Sequence, residues 1–138
     1  MANLELITFV RKHPWGVVAS VGSQGEPQAA LVGIAVTDGG EIVFDTAADA
    51  RKVANIHRDA RVALVVIVQD EVTLQCEGTA DLPTGDDRQR CFDAYLRAFP
   101  EGRDRAEDGA VVIRLTPHWA RLSDFRPDSF GTRELDLA

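Results

Sequence analysis

The sequence is poor in the residues that build disulfide scaffolds and metal centres. It contains two cysteines and three histidines in 138 residues. Cys76 and Cys91 share no pairing motif and lack the spacing of zinc ligands, so we expect two buried thiols in a reducing compartment. His13, His57 and His118 are far apart, and none belongs to a His-x-x-x-His motif. The sequence therefore does not favour metal catalysis.

Excess positive charge and long apolar segments are also missing. The formal net charge is -7 and the isoelectric point is near 4.9, which disfavours nucleic acids and anionic membranes as partners. No apolar run reaches transmembrane length, and no basic leader followed by an apolar stretch opens the sequence. We therefore expect a cytoplasmic protein whose ligand is a small molecule.

The sequence does contain the apolar periodicity of one domain. Residues 1–138, with 45% hydrophobic content, suffice for a single buried core. Alternating or β-branched runs predict strands at 15–21, 28–36, 41–46, 62–68, 72–80, 110–115 and 119–122. Helical spacing and capping residues predict helices at 3–12, 49–58 and 86–98. The acidic tail from Asp124 is expected to form a loop or a loosely docked arm.

The order of these elements predicts a mainly β (α+β) fold. The turn at 22–27 and the Asp38-Gly39 turn connect the first three strands as a meander. Strands and helices do not alternate, which disfavours a parallel doubly wound sheet. We predict an antiparallel split barrel of six or seven strands with two or three flanking helices. The interior of so small a barrel is filled by side chains, so a ligand must bind outside it or between subunits.

The junction between the third strand and the second helix carries the most informative residues. Thr46 ends the strand, and Arg51 and Lys52 lie in the first helical turn. A hydroxyl, two cations and free backbone N–H groups at a helix N-terminus together suit a phosphate group. The alternative is that Arg51 and Lys52 form an ordinary solvated helix face and that Thr46 is an ordinary cap.

Several motifs occur together in an order that is informative as a set. A Gly-x-x-Gly-x-Pro turn is followed by an Asp-Gly turn, a strand ending in Phe-x-Thr, Arg-Lys-x-x-x-Ile, and Arg-Val-Ala-Leu. From Trp15 to Ala80 this order resembles the pyridoxamine 5'-phosphate oxidase-like superfamily of FMN-binding split β-barrels. The resemblance implies a homodimer that binds FMN in a cleft at the subunit interface.

The resemblance also implies roles for particular residues. Thr46, Arg51 and Lys52 match the residues that bind the FMN phosphate, and Asp45 lies beside them. The strand from Ala30 to Gly33 matches the segment that passes along the isoalloxazine ring, where Gly33 would permit a close approach. Thr73, or Gln75 if the alignment shifts by two residues, matches a polar residue that contacts the flavin. The implied cofactor-binding set is Ala30, Leu31, Val32, Gly33, Asp45, Thr46, Arg51, Lys52 and Thr73.

Departures from the superfamily pattern bear on the substrate. Enzymes that oxidise pyridoxamine phosphate have arginine and lysine where this sequence has Ala30 and Ala35. They also end in a basic segment, whereas this sequence ends in Arg133-Glu134-Leu135-Asp136-Leu137-Ala138. A doubly anionic substrate would lack its counter-charges. We therefore expect an FMN-dependent oxidoreductase that acts on a different small molecule.

Two other functions are compatible with the same fold. One is a reductase that uses the deazaflavin F420, whose longer tail would require basic residues outside the junction. The other is a non-catalytic flavin- or haem-binding stress protein. Haem-binding members of the superfamily tend to have His-Thr where this sequence has Arg51-Lys52, which ranks haem below flavin.

Overall fold

A computed structural model describes residues 2–137. The chain forms an antiparallel barrel with helices between its strands. The elements are α1 (Leu4–Lys12), β1 (Trp15–Val21), β2 (Pro27–Gly33), β3 (Ala35–Val36), β4 (Ile42–Thr46), α2 (Arg51–Arg58), β5 (Arg61–Val66), β6 (Val72–Asp81), α3 (Gly85–Ala98), α4 (Gly102–Glu107), β7 (Val111–Asp124) and β8 (Gly131–Glu134).

One antiparallel sheet has the strand order β2-β1-β5-β6-β7-β4-β3, and β8 pairs with β7. The outermost strands β2 and β3 are consecutive in the chain and meet at Ile34, whose N–H donates to the Pro14 carbonyl at 2.9 Å. The chain bends there because β2 pairs with β1 while β3 pairs with β4. The sheet therefore curls into the predicted split barrel with flanking helices.

Some element predictions needed correction. The single strand predicted at 28–36 is divided at Ile34 into β2 and β3. β2 pairs with β1 and β3 pairs with β4, as the predicted meander requires, but β4 pairs over more residues with β7. The strands predicted at 110–115 and 119–122 form one continuous β7, which passes Pro117 with a bulge between Glu77 and Gly78 on β6. Gly78 permits this close pairing, since a Cβ there would lie 2.1 Å from the Thr116 carbonyl oxygen.

The C-terminal region is more regular than the sequence indicated. The tail predicted as a loop forms β8, whose residues pair with Arg121 to Asp124 of β7. A further short helix, α4, follows α3 where only a helix end was predicted. Both elements acquire their order from partners distant in sequence, so local patterning does not reveal them.

Two groups of buried side chains stabilise the fold. The barrel interior contains Phe44, Leu64 and Ile113, and α1 and α2 close its ends. A second cluster packs α3 on the outside of β4 and β7, and it includes Val43, Val112 and Tyr95. β4 is therefore buried on both faces, which explains its uninterrupted apolar sequence from Ile42 to Phe44.

The outside of the sheet around β1, β2 and β5 carries exposed apolar side chains. We call this the outer sheet face, defined by Trp15, Leu31, Val65 and Ile67, which are all exposed. Leu31 pairs across β1 with Val17, and Val17 pairs with Val65, so these residues form a contiguous row. Within residues 2–137, no helix is long and apolar enough to cross a membrane.

Candidate functional site

The junction between β4 and α2 has the open helix N-terminus that an anion site requires. β4 ends at Thr46 and α2 begins at Arg51. The N-cap is Ala50, which offers no side-chain oxygen to the first-turn N–H groups. The Val53 N–H donates to the Ala50 carbonyl at 3.0 Å, which leaves the N–H groups of Arg51 and Lys52 at the positive end of the helix dipole, beside their two cationic side chains. We call this region the corner, defined by Thr46, Ala50, Arg51 and Lys52.

The structure brings Lys52 and Thr46 together. The Lys52 ammonium donates to Thr46 Oγ1 at 3.1 Å. Partial burial and the charge of Arg51 lower the pKa of Lys52. Arg51 is exposed, and its guanidinium has no hydrogen bond or ion pair within residues 2–137. The negative charge of a bound anion would offset both the desolvation of the Lys52 ammonium and its repulsion by Arg51.

A small cavity adjoins the corner. Its volume is about 120 Å³, whereas pockets for whole drug-sized ligands measure about 300–1,000 Å³. It can therefore hold only the terminal group of a larger molecule, whose remainder must lie outside. The lining residues are Val18, Ser20, Gln28, Ala29, Ala30, Arg51 and Lys52.

The cavity wall includes polar residues that sequence reasoning missed. Asn55 of α2 is only 3% exposed and donates to Ser20 Oγ at 3.0 Å and to Gln28 Oε1 at 2.9 Å. Arg58 in turn donates to Asn55 Oδ1 at 3.0 Å. A polar residue between the apolar Val53 and Ile56 was the available sequence signal for Asn55.

The β2 segment proposed for the isoalloxazine ring extends away from the cavity. Ala30 lines the cavity, whereas Gly33 lies at the far end of β2, paired with Trp15. Gly33 does permit a close approach, but the ring that approaches it is the side chain of Phe99 and not a flavin. A Cβ at Gly33 would lie 2.7 Å from Cζ of Phe99, which makes an edge contact with Trp15 at 5.6 Å between ring centroids.

Asp45 is engaged in a different contact from its neighbour Thr46. Its carboxylate accepts a hydrogen bond from the Tyr95 hydroxyl at 2.9 Å and one from Arg105 Nε at 2.7 Å. Burial and the Asp45 charge raise the pKa of Tyr95. Consecutive strand residues point to opposite faces, so Asp45 attaches α3 and α4 to β4 while Thr46 faces Lys52.

Thr73 and Gln75 lie away from the corner of their own chain. Ser20 at the cavity is in register with Val62, and Val62 is in register with Gly78. Thr73 is five residues from Gly78 along β6, which corresponds to about 17 Å of strand. Both Thr73 and Gln75 fall on the outer side of the sheet, in the alternation that includes Val65.

The histidines and cysteines contribute no metal site in the part of the chain that the structure describes. Within residues 2–137, no group of three or more His, Cys, Asp or Glu residues has the geometry of a metal site. His118 contacts Thr79 at 3.1 Å. Cys76 and Cys91 are free and buried, as predicted. Burial raises the pKa of Cys76 to about 12, which keeps this thiol protonated and unreactive.

Comparison with known proteins is informative at the level of the family. The family profile of pyridoxamine 5'-phosphate oxidase matches residues 4–124. The chain belongs to this family. Its membership explains why the motifs between Trp15 and Ala80 occur in their observed order. Among curated protein sequences, none matches the chain.

Solved structures share the fold of this pyridoxamine 5'-phosphate oxidase family member at low sequence identity. A haem-binding protein from Mycobacterium smegmatis has a TM-score of 0.82 at 19% identity, over 96% of this chain and 57% of that one. A conserved hypothetical protein from Mycobacterium tuberculosis has a TM-score of 0.74 at 24% identity, over 91% and 86%. HutZ, the haem storage protein from Vibrio cholerae, has a TM-score of 0.68 at 18% identity, over 86% and 92%.

The chain thus spans little more than half the length of the Mycobacterium smegmatis protein. At these identities the structural similarities show the fold alone.

Proposed function

We propose that the protein is an FMN-binding oxidoreductase whose cofactor phosphate occupies the corner. The observation that carries this proposal is Lys52, half-buried against Thr46 beside a cavity large enough only for a terminal group. The uncapped N-terminus of α2 adds backbone donors to the two cations. All of these groups favour an anion, and their set fits the phosphate of FMN.

The active unit that we propose is a homodimer, with the flavin between its two copies. The outer sheet face is apolar and exposed, which is typical of a surface that contacts another protein. Thr73 and Gln75 lie on this side of the sheet, and Thr73 is about 17 Å of strand from the cavity of its own chain. A second copy docked on this face would bring them close to a flavin held by the first.

The protein's role in such a reaction is to bind the flavin, to orient it and to shield it from solvent. When bound, the flavin supplies hydride or electron transfer. Arg51, Lys52 and Thr46 would fix its phosphate, and the β2 backbone from Ala30 towards Gly33 would run beside its ring.

The substrate that we propose is not pyridoxamine phosphate. Ala30 and Ala35 replace the cations that this substrate would require. Ala35 is buried in the cluster beneath α3, so even its position is closed to a charged side chain. A small molecule of lower negative charge agrees better with these two alanines, and the electron donor that we propose is a reduced nicotinamide or another small molecule.

The direct test is replacement of the two corner cations. The double variant Arg51→Ala/Lys52→Ala should bind FMN at least about 100-fold more weakly, because two charge-assisted contacts to phosphate are lost. Flavin fluorescence quenching measures the affinity. The matched control is Arg11→Ala/Lys12→Ala, which removes an equal charge from the last turn of α1. The control should bind FMN as the wild type does.

A wild-type protein that fails to bind FMN would disprove the proposal. Tight binding of F420 in the same titration would instead favour a deazaflavin reductase. Bound FMN that no reductant bleaches under anaerobic conditions would indicate a carrier without turnover.

Haem is the second candidate because two structurally similar proteins bind or store it. Within this chain, Arg51 and Lys52 supply no axial ligand. Haem titration should therefore give no stoichiometric Soret shift, and if one appears it should persist in Arg51→Ala/Lys52→Ala. Loss of the Soret shift in that variant would place haem, rather than flavin, in the corner.

A further inference from the structure

A chain of hydrogen bonds leads from the surface of α2 into the corner cavity. Arg58 donates to Asn55 Oδ1, and Asn55 Nδ2 donates to Ser20 Oγ and to Gln28 Oε1. Asn55 and Ser20 are 3% and 5% exposed. Ser20 and Gln28 face each other across β1 and β2, and both line the cavity.

The direction of each hydrogen bond follows from the chemistry of the first. Arginine has donors only, so the Asn55 atom that faces Arg58 must be the amide oxygen. The Asn55 NH₂ group therefore faces Ser20 and Gln28, and each of them must accept from it. This arrangement assigns the Ser20 oxygen as an acceptor towards Asn55.

The Ser20 hydroxyl proton then needs an acceptor elsewhere. A hydroxyl has one donor and two acceptor sites, and within residues 2–137 no group accepts the Ser20 proton. A buried donor without an acceptor is destabilising. The cavity that Ser20 lines is therefore the place where an acceptor is required.

We propose that Ser20 is a further ligand of the phosphate in the corner, and that Asn55 is a positioning residue that commits Ser20 to donating into the cavity. The inference rests on the proposed function and extends its site from β4 and α2 to β1. A phosphate monoester suits this wall because its terminal oxygens are acceptors only. Arg51, Lys52, Ser20 and the first turn of α2 would then contribute donors from three sides.

The first test separates the phosphate from the rest of the flavin. Riboflavin has the FMN ring and ribityl chain without the phosphate, so a phosphate ligand affects only the FMN affinity. Ser20→Ala should weaken FMN binding about 10-fold, the effect of one hydrogen bond to a charged group, and leave riboflavin binding unchanged. Both affinities can be measured by fluorescence quenching on the full-length protein.

The second test concerns Asn55. In Asn55→Asp the carboxylate cannot donate to Ser20, so the Ser20 hydroxyl should donate to it instead of to the ligand. The ratio of FMN affinity to riboflavin affinity should fall about 10-fold or more. The new carboxylate also repels the phosphate, so the same change is made in a Ser20→Ala background. A smaller fall of the ratio there is expected if Asn55 acts through Ser20, whereas a fall of equal size would show that the carboxylate acts by charge alone.

A control variant separates these effects from general loss of stability. Thr37 is a buried hydroxyl residue at the opposite end of β4 from the corner. Thr37→Val should lower the unfolding midpoint and preserve the ratio of the two affinities.

The outcomes are distinct. An unchanged ratio in Ser20→Ala, with wild-type preference for FMN intact, overturns this inference and leaves the proposed function standing. A wild-type protein with no preference for FMN over riboflavin overturns both. A reduced ratio in Ser20→Ala and Asn55→Asp, with Thr37→Val at the wild-type ratio, supports the inference.

Discussion

At the scale of single residues, the Phe99 ring leaves no space for a side chain at Gly33. Phe99 occupies the space where a Cβ would project, with its Cζ only 2.7 Å from that point. The ring has little freedom to retreat, because Tyr95 stacks on it at 5.1 Å and Trp15 contacts its edge. Gly33 is therefore required here for packing, independently of any ligand.

Gly33→Ala should consequently destabilise the fold by about 1–3 kcal/mol, the usual effect of overpacking. Phe99→Leu would create room, so the same alanine should cost less than about 1 kcal/mol in a Phe99→Leu background. Urea unfolding of the four proteins in this cycle measures the coupling. Additive effects of the two substitutions would show that Phe99 does not restrict Gly33.

Residues that are close in sequence were the predictable part of the site. Thr46, Arg51 and Lys52 lie within seven positions, and the structure places Lys52 on Thr46. Asn55 and Ser20 are 35 residues apart, and only the packing of α2 on β1 reveals their contact. The roles in flavin binding remain predictions for the whole set of Ala30, Leu31, Val32, Gly33, Asp45, Thr46, Arg51, Lys52 and Thr73.

At the scale of elements, α3 is attached to the sheet by an ion-pair network centred on Glu41. Arg90 of α3 donates to both carboxylate oxygens of Glu41, and Arg114 of β7 approaches Glu41 Oε2 at 3.3 Å. Arg90, supported by Thr37 and Arg114, lowers the pKa of Glu41. The contact joins three elements through one half-buried carboxylate.

Glu41→Gln should destabilise the protein by about 1–2 kcal/mol at pH 7, because charge-assisted hydrogen bonds become neutral ones. Since the folded-state pKa lies below the ordinary value of 4.5, this stabilisation exists above that value and is lost as pH falls below it. The difference between wild type and variant should therefore shrink at acid pH in urea unfolding. The exposed Glu107→Gln is the control, and equal effects of both substitutions would contradict the role of the network.

Local patterning predicted most elements because their capping and turn residues lie within them. Asn3 caps α1 by accepting from the N–H groups of Glu5 and Leu6, as its position before an apolar run indicated. The bend at Ile34 was not predictable, since the residues around it remain apolar and extended. It arises because the two halves of one strand pair with different partners, β1 and β4.

At the scale of the whole molecule, the outer sheet face predicts self-association. Leu31 is 61% exposed in the middle of this face. Leu31→Glu should convert a dimer to monomers, because a carboxylate buried between two sheets would have no counter-charge. Analytical ultracentrifugation measures the state. Leu4→Glu is the matched control, since Leu4 is 76% exposed but belongs to α1 and not to the sheet. A monomeric wild type would refute the prediction.

Lys52 has one more consequence, for covalent labelling. The sequence has two lysines, Lys12 and Lys52, so an amine-directed reagent meets these side chains and the terminal amine alone. The lowered pKa leaves a larger share of the Lys52 side chain as a free, nucleophilic amine at a given pH. Because the sequence has so few lysines, chemical modification of Lys52 can be used to monitor the corner. Acylation at Lys52 records whether the site is accessible, and Lys12 provides the reference in the same molecule.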